Sequence, residues 1–274
     1  KGKVYRIKAY EIGESSRVSR GDNIINILPL EKDEKITSII QMDQLDKEDH
    51  HLVMVTRQGV IKRTELSLYK NVRKSGLIAI NLDEGDELAW VRVTGGGDDL
   101  IVATRDGMAI RFNETDARAI GRTARGFKAI TLEEGDEVVG MVNVREGETV
   151  LTVSETGLGR RTPVEEYSLQ RRGGKGSRNY YTDKNGRIAG IRMVDEEDDI
   201  ILITDDGVII RIPVSQISIQ SRYAGGVRVM RTNGENKVIS LARAPKDDSP
   251  EEEETQPEGE SSPEGGEQAP ETQL

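Results

Sequence analysis

The chain contains no cysteine and only two histidines, and aromatic residues make up 4% of its 274 positions. The missing thiols exclude a disulfide scaffold, thiolate metal sites and a cysteine nucleophile. The histidines are neighbours, His50-His51, in a polar D-K-E-D-H-H stretch. No third ligand stands at metal-site spacing, so they read as a solvated loop rather than a metal centre. No apolar run approaches the ~18 residues of a membrane span. No signal peptide opens the chain, since Lys1-Gly2-Lys3-Val4 leads directly into strand-like sequence, and the expectation is a cytoplasmic protein. A P-loop, a serine-centred nucleophile motif and any convincing helical stretch of a dozen residues are also missing.

Charge is unevenly spread. The chain has 39 Lys+Arg against 49 Asp+Glu, but the segment from Lys246 onward holds 11 acids and one base, which leaves 38 of each in residues 1–245. That acidic segment lacks apolar periodicity and is expected to be a disordered tail, residues 246–274. The body is neutral, so a nucleic-acid partner would require its cations to be segregated on one face.

What the sequence has in abundance is glycine at regular intervals. Four apolar runs, Leu52–Thr56, Leu100–Thr104, Val150–Ser154 and Ile200–Thr204, are followed by Gly59, Gly107, Gly157 and Gly207, spaced 48, 50 and 50 apart. Four residues after each glycine stands an arginine: Arg63, Arg111, Arg161 and Arg211, with Gly2 and Arg6 repeating the pair at the start. A second glycine follows 17 to 19 residues after the first (Gly21, Gly76, Gly126, Gly176, Gly226), and a third turn signal comes at Gly85, Gly135, Gly186 and Gly234. The unit is therefore about 50 residues long and occurs in five copies. The runs are too short for helices and rich in Val, Ile and Thr, which predicts strands. Asp106-Gly107 and Asp206-Gly207 predict tight hairpins. A third strand is expected from the second glycine, as in Gly126–Ile130, and a fourth after the Glu-Gly-Asp-Glu turns at 84–87 and 134–137. Four strands per 50 residues is the arithmetic of a propeller blade. One tryptophan and few aromatics fit neither WD40 nor Kelch repeats.

The loop before the third strand of the fourth copy reads Q-R-R-G-G-K-G, Gln170 to Gly176. This resembles the gyrase-A box. The opening G-K-V-Y-R-I-K-A-Y-E-I, the stretch I-I-N-I-L-P-L-E-K-D-E-K-I-T, T-R-Q-G-V-I-K-R-T and I-T-D-D-G-V-I-I-R look like successive blades of the same family, the C-terminal domain of bacterial DNA gyrase A subunits. The resemblance spans the whole chain and implies an all-β fold, a six-bladed-type β-pinwheel with about five blades present in residues 1–245, whose blades exchange strands. In the family the box lies in the first blade. Its place in the fourth copy here suggests a chain beginning inside the second blade, with 170–176 a box-like equivalent.

By the same resemblance the partner is double-stranded DNA, wrapped without sequence preference around a basic rim. The implied context is the gyrase holoenzyme with its B subunit, which introduces negative supercoils in the bacterial cytoplasm. ATP and magnesium would serve other domains; this stretch would need no cofactor and hold no catalytic residue, its seven tyrosines standing in no matching context. The alternatives are the equivalent domain of a topoisomerase IV, or a propeller-like protein-interaction module.

The chemistry of the box can be read without the family. Arg171 and Arg172 offer forked donors to phosphate, and Lys175 a mobile charge. Gly173, Gly174 and Gly176 let the backbone N–H groups approach closely. Gln170 donates a neutral hydrogen bond to phosphate or braces the loop. Cationic loops recur at the same place in other copies: Arg17 and Arg20; Lys70, Arg73 and Lys74; Arg118, Arg122 and Arg125; Arg222. Lys128, Arg178 and Arg228 stand just past the second glycine. Acids crowd instead into Asp83–Glu87, Glu133–Glu137 and Asp195–Asp199, which predicts one basic and one acidic rim. Asp98-Asp99 and Asp198-Asp199, just before first strands, read as edge protection. The strand-end arginines at 6, 63, 111, 161 and 211 fit either DNA contact or salt bridges between blades.

Overall fold

The computed structural model describes residues 1–16, 19–42, 49–233 and 235–245. The segment expected to be a tail, Arg17 and Gly234 lie outside the described residues. The first unit contributes β1 (Lys3–Val4). The second contributes β2 (His51–Thr56), β3 (Val60–Glu65), β4 (Leu77–Ile78) and β5 (Leu88–Thr94). The third gives β6 (Asp99–Thr104), β7 (Met108–Asn113), β8 (Phe127–Lys128) and β9 (Val138–Asn143). The fourth gives β10 (Thr149–Ser154), β11 (Leu158–Pro163), β12 (Ser177–Arg178) and β13 (Ile188–Val194). The fifth gives β14 (Asp198–Thr204), β15 (Ile209–Pro213), β16 (Val227–Arg228) and β17 (Val238–Pro245). His51 heads a strand rather than sitting in a loop. Among the described residues no helix is long and apolar enough to cross a membrane.

Units and blades do not coincide. Each complete sheet takes three strands from one unit and its fourth from the next: β5-β2-β3-β8, β9-β6-β7-β12 and β13-β10-β11-β16, with β17-β14-β15 and the pair β1-β4 at the two ends. All pairings within sheets are antiparallel, for example Val60↔Lys128 and Met108↔Arg178. This is the strand exchange of a β-pinwheel. The expected third strand is thus real but shortened to two residues and lent to the preceding blade. In the first unit no strand forms between Val4 and His51 among the described residues; 3-10 turns occupy Ala9–Glu11 and Ile24–Asn26.

The two periodic glycines are what make the exchange fit. Gly107 has φ 94°, and a Cβ there would collide with the carbonyl of Tyr180, just beyond β12, whose neighbour Asn179 donates its N–H to the Gly107 carbonyl at 2.7 Å. Gly176 has φ 74° and lies against the carbonyl of Ala109 in β7. A side chain at either would meet rigid backbone, in a region that L residues rarely adopt.

The core is a series of layers between consecutive blades. Val53, Val55 and Ile61 pack against Leu100, Val102, Phe112 and Met141; Ile101, Ala103 and Val142 against Val150, Ile191 and Met193; and Leu151 and Val153 against Ile200, Leu202 and Leu241. A strand between two such layers is buried on both faces. That explains why the runs are continuously apolar instead of alternating. The strands β9, β13 and β17 lie side by side at the hub, and Gly140 lets β9 approach Ile191. The borrowed strands β4, β8, β12 and β16 are therefore outermost, and the loops that precede them form the rim.

Candidate nucleic-acid interface

The rim loops before β8, β12 and β16 are anchored to the blade that receives their strand. The N–H groups of Ile120, Gln170 and Gln220 donate to the carbonyls of Arg63, Arg111 and Arg161, at 2.9, 2.8 and 2.8 Å. The cationic stretches at 118–126, 170–176 and 222–228 are thereby placed at equivalent positions around the outside, and 70–76 likewise precedes an outer strand, β4. The side chains of Arg20, Arg73, Lys74, Lys128 and Arg171 are exposed and have no partner among the described residues. Arg118 is also exposed and lies 5.6 Å from the centre of the Phe127 ring.

Other members of the predicted set are occupied. Arg172 lies 4.8 Å from the Phe127 ring centre and donates to the carbonyls of Asp116 (2.9 Å) and Lys128 (3.0 Å). Arg222 repeats this, donating to the Arg178 carbonyl at 3.0 Å and lying over the Tyr167 and Tyr223 rings. These two arginines clasp neighbouring units. Arg178 and Arg228 reach the carbonyls of Asp106 and Thr156, at 3.1 and 3.4 Å, but remain exposed. Lys175 forms a 2.7 Å pair with Glu133, which raises the lysine's pKa and lowers that of the carboxylate. Arg125 pairs with Asp83. Both pairs are solvent-facing, so their ions are readily exchanged.

The uncharged part of the box serves the fold. Gln170 donates its side-chain N–H to Ser177 Oγ at 2.9 Å, bracing the loop. The Gly173 N–H donates to the Ala129 carbonyl at 2.6 Å, and Gly174 accepts from Thr131 N at 2.8 Å. The expectation that the Gly173 amide faces phosphate is corrected by its inward bond. Arg171 and Lys175 are left as the outward donors.

The acids are distributed as only the fold could show. Glu87, Glu137 and Glu155 interleave with Arg57, Arg105 and Lys237 in a ladder along one end of the blades, including Arg57–Glu137 at 3.2 Å and Arg105–Glu155 at 2.6 Å. Asp195–Asp199 is not part of this acidic turn set. It links β13 to β14, where Asp198 and Asp199 bind Arg243 and Arg211 at 2.7 Å each. Asp99 likewise binds Arg111 at 2.8 Å. These paired aspartates hold arginines, rather than merely guarding an edge. Two of the strand-end arginines also brace neighbouring units: Arg111 donates to the Val164 and Tyr167 carbonyls, and Arg161 to Ile217 at 2.6 Å, whereas the Arg211 bonds to Asp199 and Pro245 stay within its own sheet.

Two fully buried cations escaped sequence reading. Lys62 and Arg160, each three residues after a first glycine, are fully buried beneath rim loops. Lys62 donates to the carbonyls of Ala79 and Arg122. Arg160 donates to those of Asn179, Arg222 (2.9 Å) and Ala224 (3.1 Å). Burial, and then the charge of Arg122, lowers the Lys62 pKa to about 8. Their signal was a charged residue at a strand position filled by Ile110 and Ile210 in other copies.

Comparison with known proteins adds to this geometry. The sequence matches the family described as "DNA gyrase C-terminal domain, beta-propeller" over residues 1–41, 50–94, 98–145, 148–195 and 198–245, one stretch per unit. The DNA gyrase A subunit of Clostridium acetobutylicum is 52% identical over 128 residues, and that of Halalkalibacterium halodurans 56%. Each alignment covers 47% of this chain and 15% of the relative, so the matched stretch is a small part of those proteins. Among solved structures, the C-terminal domain of a DNA topoisomerase IV superposes with a TM-score of 0.82 at 28% identity, covering 89% of this chain and 77% of the other. A DNA gyrase A C-terminal domain superposes with 0.76 at 28% identity, covering 89% and 79%. With every repeat matched in turn, the chain belongs to the DNA gyrase C-terminal domain, beta-propeller family.

Proposed function

We propose that this chain binds duplex DNA along its rim without sequence preference and wraps it, as part of a gyrase whose holoenzyme, with its B subunit, introduces negative supercoils at the expense of ATP. The observation that carries this reading is that exposed cations without a partner among the described residues recur along the rim of successive blades, Arg73 and Lys74 in the loop before β4, Lys128 in β8 and Arg171 in the loop before β12. A row of such cations follows a phosphate backbone and reads no bases. Cleavage, ATP and magnesium chemistry would belong to other parts of the enzyme, in the bacterial cytoplasm. Binding to random duplexes should weaken with salt by about 0.9 log units per log salt for each phosphate neutralised. Salt-insensitive binding, or strong preference for one duplex, would overturn the reading.

A second reading, the corresponding domain of a topoisomerase IV, draws support from the higher TM-score of that neighbour. The assay that separates the two is supercoiling by the complete enzyme: net negative supercoils favour gyrase, relaxation alone the alternative.

A further inference from the structure

The buried cations beneath the rim are not required merely to bridge carbonyls. In the second and fourth blades, the carbonyl just beyond the neighbouring outer strand, that of Ala79 or Asn179, is satisfied by Lys62 or Arg160. In the third blade the equivalent carbonyl, Ala129, accepts the Gly173 backbone N–H, and Ile110 fills the position of the cation. A neutral amide therefore satisfies that carbonyl without a buried cation. Burying a cation with no counter-ion is unfavourable, yet among the described residues neither Lys62 nor Arg160 has a carboxylate within ion-pair distance. The charged or titratable groups that face them are one further cation and three phenols: Arg122 and Tyr69 at Lys62, and Tyr167 and Tyr180 at Arg160.

Resting on the DNA-binding reading, we infer that the second and fourth rim loops are half-built phosphate sites, in which Lys62 and Arg160 supply from below the positive charge that a DNA phosphodiester across the loop neutralises. The carbonyls of Arg122 and Arg222 lie between cation and rim, so the buried charge acts through the loop and both residues are positioning residues rather than direct contacts. The third loop reaches the same end from outside, with Arg171 and Lys175 on a glycine-anchored turn. A charge in a poorly solvated site is screened less than one in water, so its field at the rim persists at salt concentrations that suppress surface cations.

Lys62 allows a decisive experiment, because its protonation can be varied. Duplex affinity of the whole chain is measured from pH 7 to 9.5 for wild type, Lys62→Arg and Lys62→Met, with thermal unfolding alongside. Wild-type affinity should fall as pH rises through about 8, where Lys62 loses its proton. Lys62→Arg should keep the neutral-pH affinity and lose that dependence. Lys62→Met should bind about three- to tenfold more weakly at pH 7, as expected for removing one poorly screened charge. Identical pH profiles for wild type and Lys62→Arg would overturn the proposal, as would wild-type affinity in a folded Lys62→Met. If Lys62→Met does not fold, the first comparison decides alone. Absence of salt-dependent binding by wild type at pH 7 would remove the DNA reading itself, and this inference with it.

Discussion

Arg171 and Arg172 are neighbours of the same type, yet the fold divides their work. Arg171 is exposed and unpartnered among the described residues, whereas Arg172 stacks on Phe127 and caps two carbonyls. Arg171→Ala should weaken DNA binding severalfold and flatten the salt slope by about one unit, with an unchanged melt. Arg172→Ala should cost roughly 1–3 kcal/mol of stability, read by urea denaturation, through the lost stacking and the exposed carbonyls. The box was legible as a cationic loop, but the split was not, because Arg172's partners lie some 44 to 56 residues upstream. Lys62 was illegible for a related reason: a lysine in a strand ordinarily reads as solvent-facing. Its lowered pKa has a consequence for the free protein. Below about 8 both folded and unfolded chains carry the proton, and the folded one bears the cost of burying it. Between about 8 and the ordinary lysine range the folded chain sheds the proton first, so this residue's contribution to stability rises with pH and is lost as pH falls through 8. Melting of wild type relative to Lys62→Met should therefore improve over that window, opposite in direction to DNA affinity.

At the scale of elements, the strand runs and their hairpins were readable from composition and glycine spacing. The destination of the third strand was not, because two-residue strands such as β8 and β12 carry too little pattern to name a partner. Only the family resemblance implied exchange. The second glycines looked like turns and are sockets: Gly126 and Gly176 face the carbonyls of Ile61 and Ala109 in the preceding unit. Gly107 and Gly135 separate the two roles. Both have positive φ, but a Cβ at Gly135 meets nothing within 4 Å, whereas at Gly107 it strikes the Tyr180 carbonyl. Gly135→Ala should cost about 1–2 kcal/mol, the penalty for the left-handed backbone. Gly107→Ala should cost about 3 kcal/mol or more, because the third blade must loosen β12 to admit it. Chemical denaturation of the two variants checks the difference; equal losses would mean that the close approach is immaterial.

Across the whole molecule, the neutral body becomes locally basic because many of its acids are engaged away from the rim, Glu133 and Asp83 being rim exceptions paired with Lys175 and Arg125. Glu137 and Glu155 lie in the ladder at one end of the blades, and Asp99, Asp198 and Asp199 hold Arg111, Arg243 and Arg211. The sequence showed alternating basic and acidic loops, but not that the acids already have partners. The segment after Pro245, with 11 acids, adds negative charge to the chain that carries this rim. A chain ending at Pro245 should bind DNA more tightly than the full chain, most clearly at low salt, in a direct titration; equal affinities would show that the segment does not compete with phosphate. The borrowed strands also have a bearing on synthesis. The hairpin β2-β3 is complete at Glu65, but its sheet is not closed until Phe127–Lys128 arrive. A chain emerging from the ribosome therefore always carries one unfinished blade, whose open edge waits about sixty residues for its partner. Pauses in translation that fall after a hairpin but before the next unit's outer strand would prolong that exposure to a wrong neighbour, and pauses just beyond the strand would end it.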